Sequence, residues 1–91
     1  MAEPSRNRVK PLVIRNISVV SGVEEHRITE DKSLDIDLHM SQLMRKALAP
    51  GFGAIAREFN PDARFTMSEC GKLKTVGESV DLVHARARKG G

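Results

Sequence analysis

The segment that most constrains the fold of this chain is TVGESVDLV, which begins at Thr75. Glu78 follows Thr75 by three residues, a spacing that fits a capping box. In such a box the threonine hydroxyl accepts a first-turn N–H and the glutamate reaches back. Val76, Val80 and Val83 then fall on one helical face. The segment therefore predicts a capped amphipathic helix whose valines face a core.

A second apolar stretch, LVIRNISVVSGV, follows Pro11. Val13, Ile17 and Val20 share one helical face, although the many β-branched residues would also suit a strand. The length of the stretch and its stop at Gly22, a natural residue after a helix end, favour a helix. Pro11 is compatible with the first turn, where its missing N–H would be unpaired in any case. A helix is therefore predicted from Pro11 to about Gly22.

Residues 23–37 form a polar connection with six acidic residues against two basic ones. This run lacks the ligand alternation and the turn glycine of a calcium-binding loop, so a solvated acidic loop is favoured over a metal or acid–base site. The predicted inward anchors of the connection are its apolar residues Val23, Ile28, Leu34 and Ile36.

A second helix is predicted to begin at Asp37 or Ser41 and to end near Leu48. The pair Pro50-Gly51 breaks the pattern, and helical spacing resumes between residues 52 and 59. The segment before the capped C-terminal helix is short and mixed, which predicts a loop with one helical turn.

Charge is distributed unevenly, with a net +2 over residues 1–10, −2 over 11–85 and +3 over 86–91. The two basic ends are predicted to be flexible tails around one helical domain, residues 11–85. Basicity confined to short tails, no Trp or Tyr and only three Phe argue against nucleic-acid binding, which is kept as a third alternative. No apolar run suits a membrane span or a secretion signal, so a cytoplasmic location is predicted.

Reactive side chains are sparse. Cys70 is the single cysteine and cannot form an internal disulfide, which fits a reducing compartment. No Cys–His arrangement accompanies it, so a partly buried, inert thiol is predicted. His26, His39 and His84 lack the spacing of a metal site. We therefore predict neither a catalytic residue nor a bound metal.

Three segments stand in this order: GVEEHRITEDKSLDIDL (residues 22–38), REFNP (residues 57–61) and KLKTVGESVDLV (residues 72–83). Together they resemble the acyl carrier protein family. The first is similar to the family's first loop, and the second to the end of its second helix. The third is similar to its last loop and final helix. The resemblance covers residues 12–84. It implies an all-α four-helix bundle with a long loop after the first helix and a short third helix.

The defining motif of that family is Asp-Ser-Leu at the start of the second helix. The motif serine takes a 4′-phosphopantetheine group from coenzyme A, and the arm carries an acyl chain as a thioester. In the family register Leu43 matches the motif leucine, Gln42 takes the place of the serine, and Ser41 that of the aspartate. A one-residue shift would instead make Ser41 the attachment site, with Met40 in the acidic position. The alternative role for Ser41 is a helix cap.

The resemblance implies a specialised carrier, not an enzyme, whose Ser41 presents a phosphopantetheine-tethered acyl or aminoacyl group. Its partners would be a phosphopantetheinyl transferase and acyl-transferring or synthase enzymes of fatty acid or polyketide biosynthesis. The predicted docking residues are Leu43, Met44, Arg45 and Lys46. The predicted core residues, which could also line a chain-binding cavity, are Val13, Ile17, Met44, Leu48, Ile55, Phe59, Val76, Val80 and Val83.

An interaction module is the second hypothesis. In the family the second helix is continuous and acidic, and partner enzymes dock on it. Here Arg45, Lys46 and the Pro-Gly pair replace that pattern. A carrier-like fold without a prosthetic group could use the face around Arg45 and Lys46 to bind a protein partner.

Overall fold

The computed structural model describes residues 4–88, and its regular elements are helices. They are α1 (Arg6–Ser21), a 3-10 turn (Glu25–Arg27), α2 (Gln42–Lys46), α3 (Ala49–Arg57), α4 (Met67–Gly71) and α5 (Val76–Ala87). Within these residues extended pairing is limited to one isolated bridge, between Ser33 and Thr75. The all-α prediction is therefore confirmed.

Helices α1, α3 and α5 pack against one another, and α2 packs on α4. The predicted core residues are buried with two exceptions, since Met44 and Phe59 are only half-buried. The core also contains residues that were not among those predicted, including Val9, Leu38, Met40, Phe52 and Cys70.

Helix α1 begins at Arg6, five residues before the predicted start at Pro11. Ser5 is its N-cap, and its hydroxyl accepts the N–H of Arg8 at 3.2 Å. Val9 is fully buried, so packing stabilises these first turns. Pro11 consequently lies inside the helix, where it removes one backbone hydrogen bond.

Both segments assigned from sequence to flexible tails are therefore partly helical. Residues 6–10 lie in α1 and residues 86–87 in α5. Each basic segment supplies an arginine, Arg6 or Arg86, to an ion pair with the helical body. Residues 1–3 and 89–91, the remainder of the predicted tails, lie outside the described residues.

The predicted interruption between two helical segments is present, but it lies at residues 47–48, between α2 and α3, and not at Pro50-Gly51. Pro50 and Gly51 do not break the helix as predicted, because both lie in the first turn of α3, where proline is tolerated. A Cβ added to Gly51 would lie 2.2 Å from Asn16 Oδ1 of α1. Asn16 Nδ2 donates to the carbonyl of Leu48 at 3.2 Å, so glycine permits a close, hydrogen-bonded approach of α1 and α3.

The long loop begins at Gly22, which ends α1 as predicted with φ of 79° and an N–H that donates to Ser18 O at 2.8 Å. Further along, Gly77 N–H donates to Glu30 O and Val76 N–H to Lys32 O, both at 3.0 Å. The loop is thus held to the start of α5.

The predicted loop anchors behave differently from one another. Ile28 and Leu34 are buried and Val23 is half-buried, in agreement with the prediction. Ile36 is 75% exposed, so its prediction as an inward anchor is wrong. Ile36 lies in the turn that two hydrogen bonds between Ser33 and Asp37 close, and the tip of this turn faces solvent.

The cap of α5 is confirmed in part. The Thr75 hydroxyl accepts the N–H of Glu78 at 3.1 Å. The Glu78 carboxylate, however, accepts the N–H of Lys74 at 2.9 Å, so the predicted reciprocal bond to Thr75 is wrong. A complete capping box stands instead at the start of α4, between Thr66 and Glu69. This confirms the single helical turn predicted there.

Candidate functional site

Ser41 is exposed and forms the N-cap of α2. Its hydroxyl oxygen accepts the N–H of Met44 at 3.2 Å, which confirms the cap role considered from sequence. A serine hydroxyl has one proton and two lone pairs, so this bond leaves the proton and one lone pair for other partners. Capping is therefore compatible with chemistry at the same oxygen.

Buried side chains hold the segment that leads to Ser41 in place. Leu38 and Met40 are buried, while His39 between them is exposed and has φ of 55°. A histidine in this left-handed region is strained, and the buried neighbours hold it there. Ser41 thus has a defined position on the surface, although it lies next to a loop.

A second constraint precedes this segment. Ser33 N–H donates to Asp37 Oδ2 at 2.8 Å, and Asp37 N–H donates to Ser33 Oγ at 2.9 Å. The hydrogen bond from the Ser33 backbone is the largest factor that lowers the pKa of Asp37. The turn is closed by this reciprocal pair, so Asp37 has a structural role and is not the start of the second helix.

Gln42, the residue aligned with the family's serine, is the first residue of α2. Its side chain lies close to α4, since a Cβ added to Gly71 would be 3.4 Å from Gln42 Cγ. Its amide is not a nucleophile. At the start of α2 the candidate attachment oxygen is therefore that of Ser41.

The four predicted docking residues have unlike surroundings. Leu43 is 73% exposed, whereas Met44 is half-buried and packs against the core. Met67 on the neighbouring helix α4 is 53% exposed. The sequence reasoning missed Met67, because its position depends on the packing of α4 on α2. Leu43 and Met67 are the accessible apolar side chains of this helix pair.

Arg45 and Lys46 pack along α4 instead of projecting as a free basic face. Arg45 Nη1 donates to the carbonyl of Met40 at 2.9 Å, and its Nε donates to the carbonyl of Gly71 at 3.3 Å. The stem of Lys46 runs beside Gly71, since an added Cβ there would be 3.0 Å from Lys46 Cγ. Arg45 therefore acts mainly as a link between α2 and α4.

The remaining reactive residues were predicted to carry no chemistry. Cys70 is fully buried, and burial raises the pKa of its thiol to about 11, in agreement with the predicted inert thiol. In residues 4–88 no group of three His, Cys, Asp or Glu side chains is arranged to hold a metal ion.

An open cleft of about 540 Å³ lies beside the loop between α1 and α2. Its lining residues are Val23, His26, Arg27, Thr29, Lys32, Asp37, Leu38 and His39. The sequence reasoning treated this loop as a solvated acidic segment and did not anticipate a cleft with basic walls.

Comparison of the chain with models of protein families, with curated proteins and with solved structures gives no match. Within residues 4–88 the helices are too short or too polar for one of them to cross a membrane. Residues 4–88 form a small all-helical domain. That the chain belongs to the acyl carrier protein family stays a prediction.

Proposed function

We propose that this chain is a specialised carrier whose Ser41 accepts a 4′-phosphopantetheine group and presents a tethered acyl or aminoacyl chain to partner enzymes. The observation that carries the proposal is the exposed Ser41 hydroxyl at the N-cap of α2. The order of the elements supports it, with a long anchored loop before this serine and a short α4 before the capped final helix.

The surroundings of Ser41 fit the group. The side chain faces solvent, and its hydroxyl makes one hydrogen bond, as an acceptor, with the described residues. A bulky substituent can therefore extend outward without displacing the buried neighbours Leu38 and Met40. When bound, the group supplies a flexible arm whose thiol carries the chain as a thioester.

The protein's own contribution is to hold the oxygen and to present it. Ser41 Oγ would form the phosphoester bond as the pyrophosphate bond of coenzyme A breaks and adenosine 3′,5′-bisphosphate leaves. The hydroxyl proton would pass to a base of the transferase. Met44 N–H orients that oxygen through the cap. A fixed attachment point keeps a tethered chain at high local concentration near a docked enzyme. Leu43, two residues along, offers that enzyme an apolar contact.

Intact-mass measurement tests the proposal after incubation with coenzyme A and a broad-specificity phosphopantetheinyl transferase. The wild-type mass should increase by one phosphopantetheine group. Ser41→Asn should abolish the increase while keeping the helix cap, because asparagine caps as well as serine. Ser5→Ala is the matched control, since Ser5 also caps a helix with a 3.2 Å bond from an N–H. No increase with several transferases would contradict the proposal.

A second function, a protein-interaction module without a prosthetic group, is favoured by one specific observation. The exposed apolar side chains of Leu43 and Met67 lie on the adjacent helices α2 and α4. A docking surface is marked by a contiguous exposed apolar patch, which these two side chains could form together. Because Arg45 is bound to Met40 and Gly71, such a module would use this apolar pair more than the basic face expected from sequence.

A further inference from the structure

The cleft beside the loop of residues 23–39 has no role in the proposed carrier function. Its volume of about 540 Å³ lies in the range of small-molecule pockets, roughly 300–1,000 Å³. Its wall combines the apolar side chains of Val23 and Leu38 with the polar side chains of Arg27 and Lys32. A ligand that fits this wall has an anionic group and a less polar body.

The charge on the wall is mainly basic. Arg27 and Lys32 carry positive charge, His26 and His39 add two imidazoles, and Asp37 is the only carboxylate among the lining residues. The Asp37 carboxylate accepts the N–H of Ser33, so it is held by its own turn.

Glu30 is occupied on α1, whereas Glu24 Oε2 lies 3.9 Å from Nδ1 of His26, a residue of the cleft wall. Glu30 pairs with Arg6 and Lys10 on α1. Asp31 accepts the hydroxyl of Thr29, which itself lines the cleft. Neither Glu30 nor Asp31 is among the residues that line the cleft. The loop is acidic in composition, but the fold turns its basic side chains toward the cleft.

Arg27 has an available guanidinium. Five other arginines use their side chains in hydrogen bonds or ion pairs: Arg6, Arg15, Arg45, Arg57 and Arg86. Arg8 lies over the ring of Phe59. Arg27, like Arg64, makes no side-chain hydrogen bond or ion pair within residues 4–88. Its planar fork of donors is therefore free to bind two oxygens of a ligand.

Lys32 supports the same site. Its ammonium forms no ion pair closer than 4.0 Å with the residues described here, but its charge helps to lower the pKa values of Asp31 and Asp37. A second cation on the same wall favours a doubly charged anion over a simple carboxylate.

We propose that this cleft binds a small phosphorylated molecule. Arg27 and Lys32 bind the phosphate group, the imidazoles of His26 and His39 flank it, and Val23 and Leu38 contact the body of the ligand. A long polyanion such as a nucleic acid is disfavoured, because exposed carboxylates of the same loop, those of Glu24 and Asp35 among them, would repel its extended backbone. Ser41 does not line the cleft, so the proposal is independent of the carrier function.

The test is a titration of the unmodified, isotope-labelled protein with pyrophosphate, followed by amide chemical shifts at constant ionic strength. Saturable shifts should be confined to residues near the cleft. Arg27→Gln and Lys32→Gln should each weaken binding about tenfold, the size of one lost charge-assisted hydrogen bond. Arg64→Gln and Lys72→Gln remove the same charges outside the cleft and should leave the affinity within about twofold of wild type.

Adenosine diphosphate forms the second arm of the experiment. Tighter binding than pyrophosphate would identify a phosphate ester whose body contacts Val23 and Leu38, and equal binding would identify recognition of the phosphate alone. Ser41→Asn should bind as the wild type does, whether or not Ser41 is a modification site. Three results would overturn the proposal: no saturation, equal shifts with sodium chloride, or equal losses in Arg64→Gln and Arg27→Gln. The amide spectrum of each variant reports that it is folded.

Discussion

At the scale of single residues, Glu30 connects three parts of the molecule. Its carboxylate binds Arg6 and, at 3.2 Å, Lys10, both on α1. Its carbonyl accepts the N–H of Gly77 at the start of α5. Arg6 also reaches Asp81 on α5 at 2.7 Å. The hydrogen bond from Arg6 is the largest factor that lowers the pKa of Glu30 from its ordinary value of 4.5 to about 2.

Replacement of Glu30 by Gln should lower the free energy of unfolding near neutral pH. A carboxyl whose pKa is lowered by folding stabilises the protein above its unfolded pKa, and that contribution disappears as pH falls through the folded value. The difference between wild type and Glu30→Gln should therefore be constant above pH 4.5 and shrink toward pH 2. Urea unfolding at several pH values measures this difference in the free energy of unfolding. Glu58→Gln, an exposed control, should show no such change, and a pH-independent difference for Glu30→Gln would contradict the account.

At the scale of elements, two glycines two residues apart in α3 have different reasons to be there. A Cβ added to Gly51 meets Asn16, whose amide holds α1 to the carbonyl of Leu48. The three atoms nearest to a Cβ added to Gly53 belong to the guanidinium of Arg57, an exposed side chain held by one long bond of 3.5 Å to the carbonyl of Ala63. The first glycine permits helix packing, and the second is replaceable.

Gly51→Ala should therefore destabilise the protein by about 1–3 kcal/mol, the usual cost of overpacking. Gly53→Ala should be neutral or stabilising by up to about 1 kcal/mol, because alanine is the better helix former. Thermal or urea unfolding compares the two. In protein that already carries Asn16→Ala, the added Cβ no longer meets the asparagine. Gly51→Ala should therefore lower the free energy of unfolding less in that background than in the wild type. Equal effects at residues 51 and 53 would refute the packing explanation.

Local signals predicted some elements well and others poorly. The end of α1 at Gly22 and the Thr75 hydroxyl cap are local features, and both are confirmed. The start of α1 was misplaced at Pro11, because proline is itself a helix-start signal. The helix instead extends back to Arg6, which is held by Glu30 and Asp81 across long sequence separations.

The candidate site shows the same difference between local features, which sequence predicts, and long-range contacts, which it does not. The cap role of Ser41 is a property of a few consecutive residues and was considered from sequence. The internal bonds of Arg45 to Gly71, the exposure of Met67 and the basic wall of the cleft depend on residues far apart in the chain. A single sequence carries no direct signal for such contacts.

At the scale of the whole molecule, Arg86 fastens α4 and its preceding loop to α5. Its guanidinium binds both oxygens of Glu69, donates to the carbonyl of Arg64 at 2.6 Å, and lies 5.2 Å from the centre of the Phe65 ring. Cys70 follows Glu69 and is fully buried. The cysteine is thus a natural reporter of opening between α4 and α5.

Native Cys70 should react very slowly with iodoacetamide at about pH 8, because it is buried and its thiol pKa is raised to about 11. Arg86→Gln should accelerate alkylation severalfold by releasing Glu69, whereas Arg64→Gln should not. Mass spectrometry follows the rate, and urea-unfolded protein gives the upper limit. Fast labelling of the native wild type, or equal rates in both variants, would contradict this coupling of α4 to α5.

The proposed carrier function depends on one bond, between phosphopantetheine and Ser41 Oγ, and locating the added group is the most direct test. After the transferase reaction, cleavage following Lys32 and Arg45 yields a peptide of residues 33–45 that contains two serines, Ser33 and Ser41. Fragmentation of this peptide should assign the added mass to Ser41, and Ser41→Asn should remain unmodified. Added mass on Ser33 or elsewhere, or an unmodified wild type, would contradict the carrier proposal.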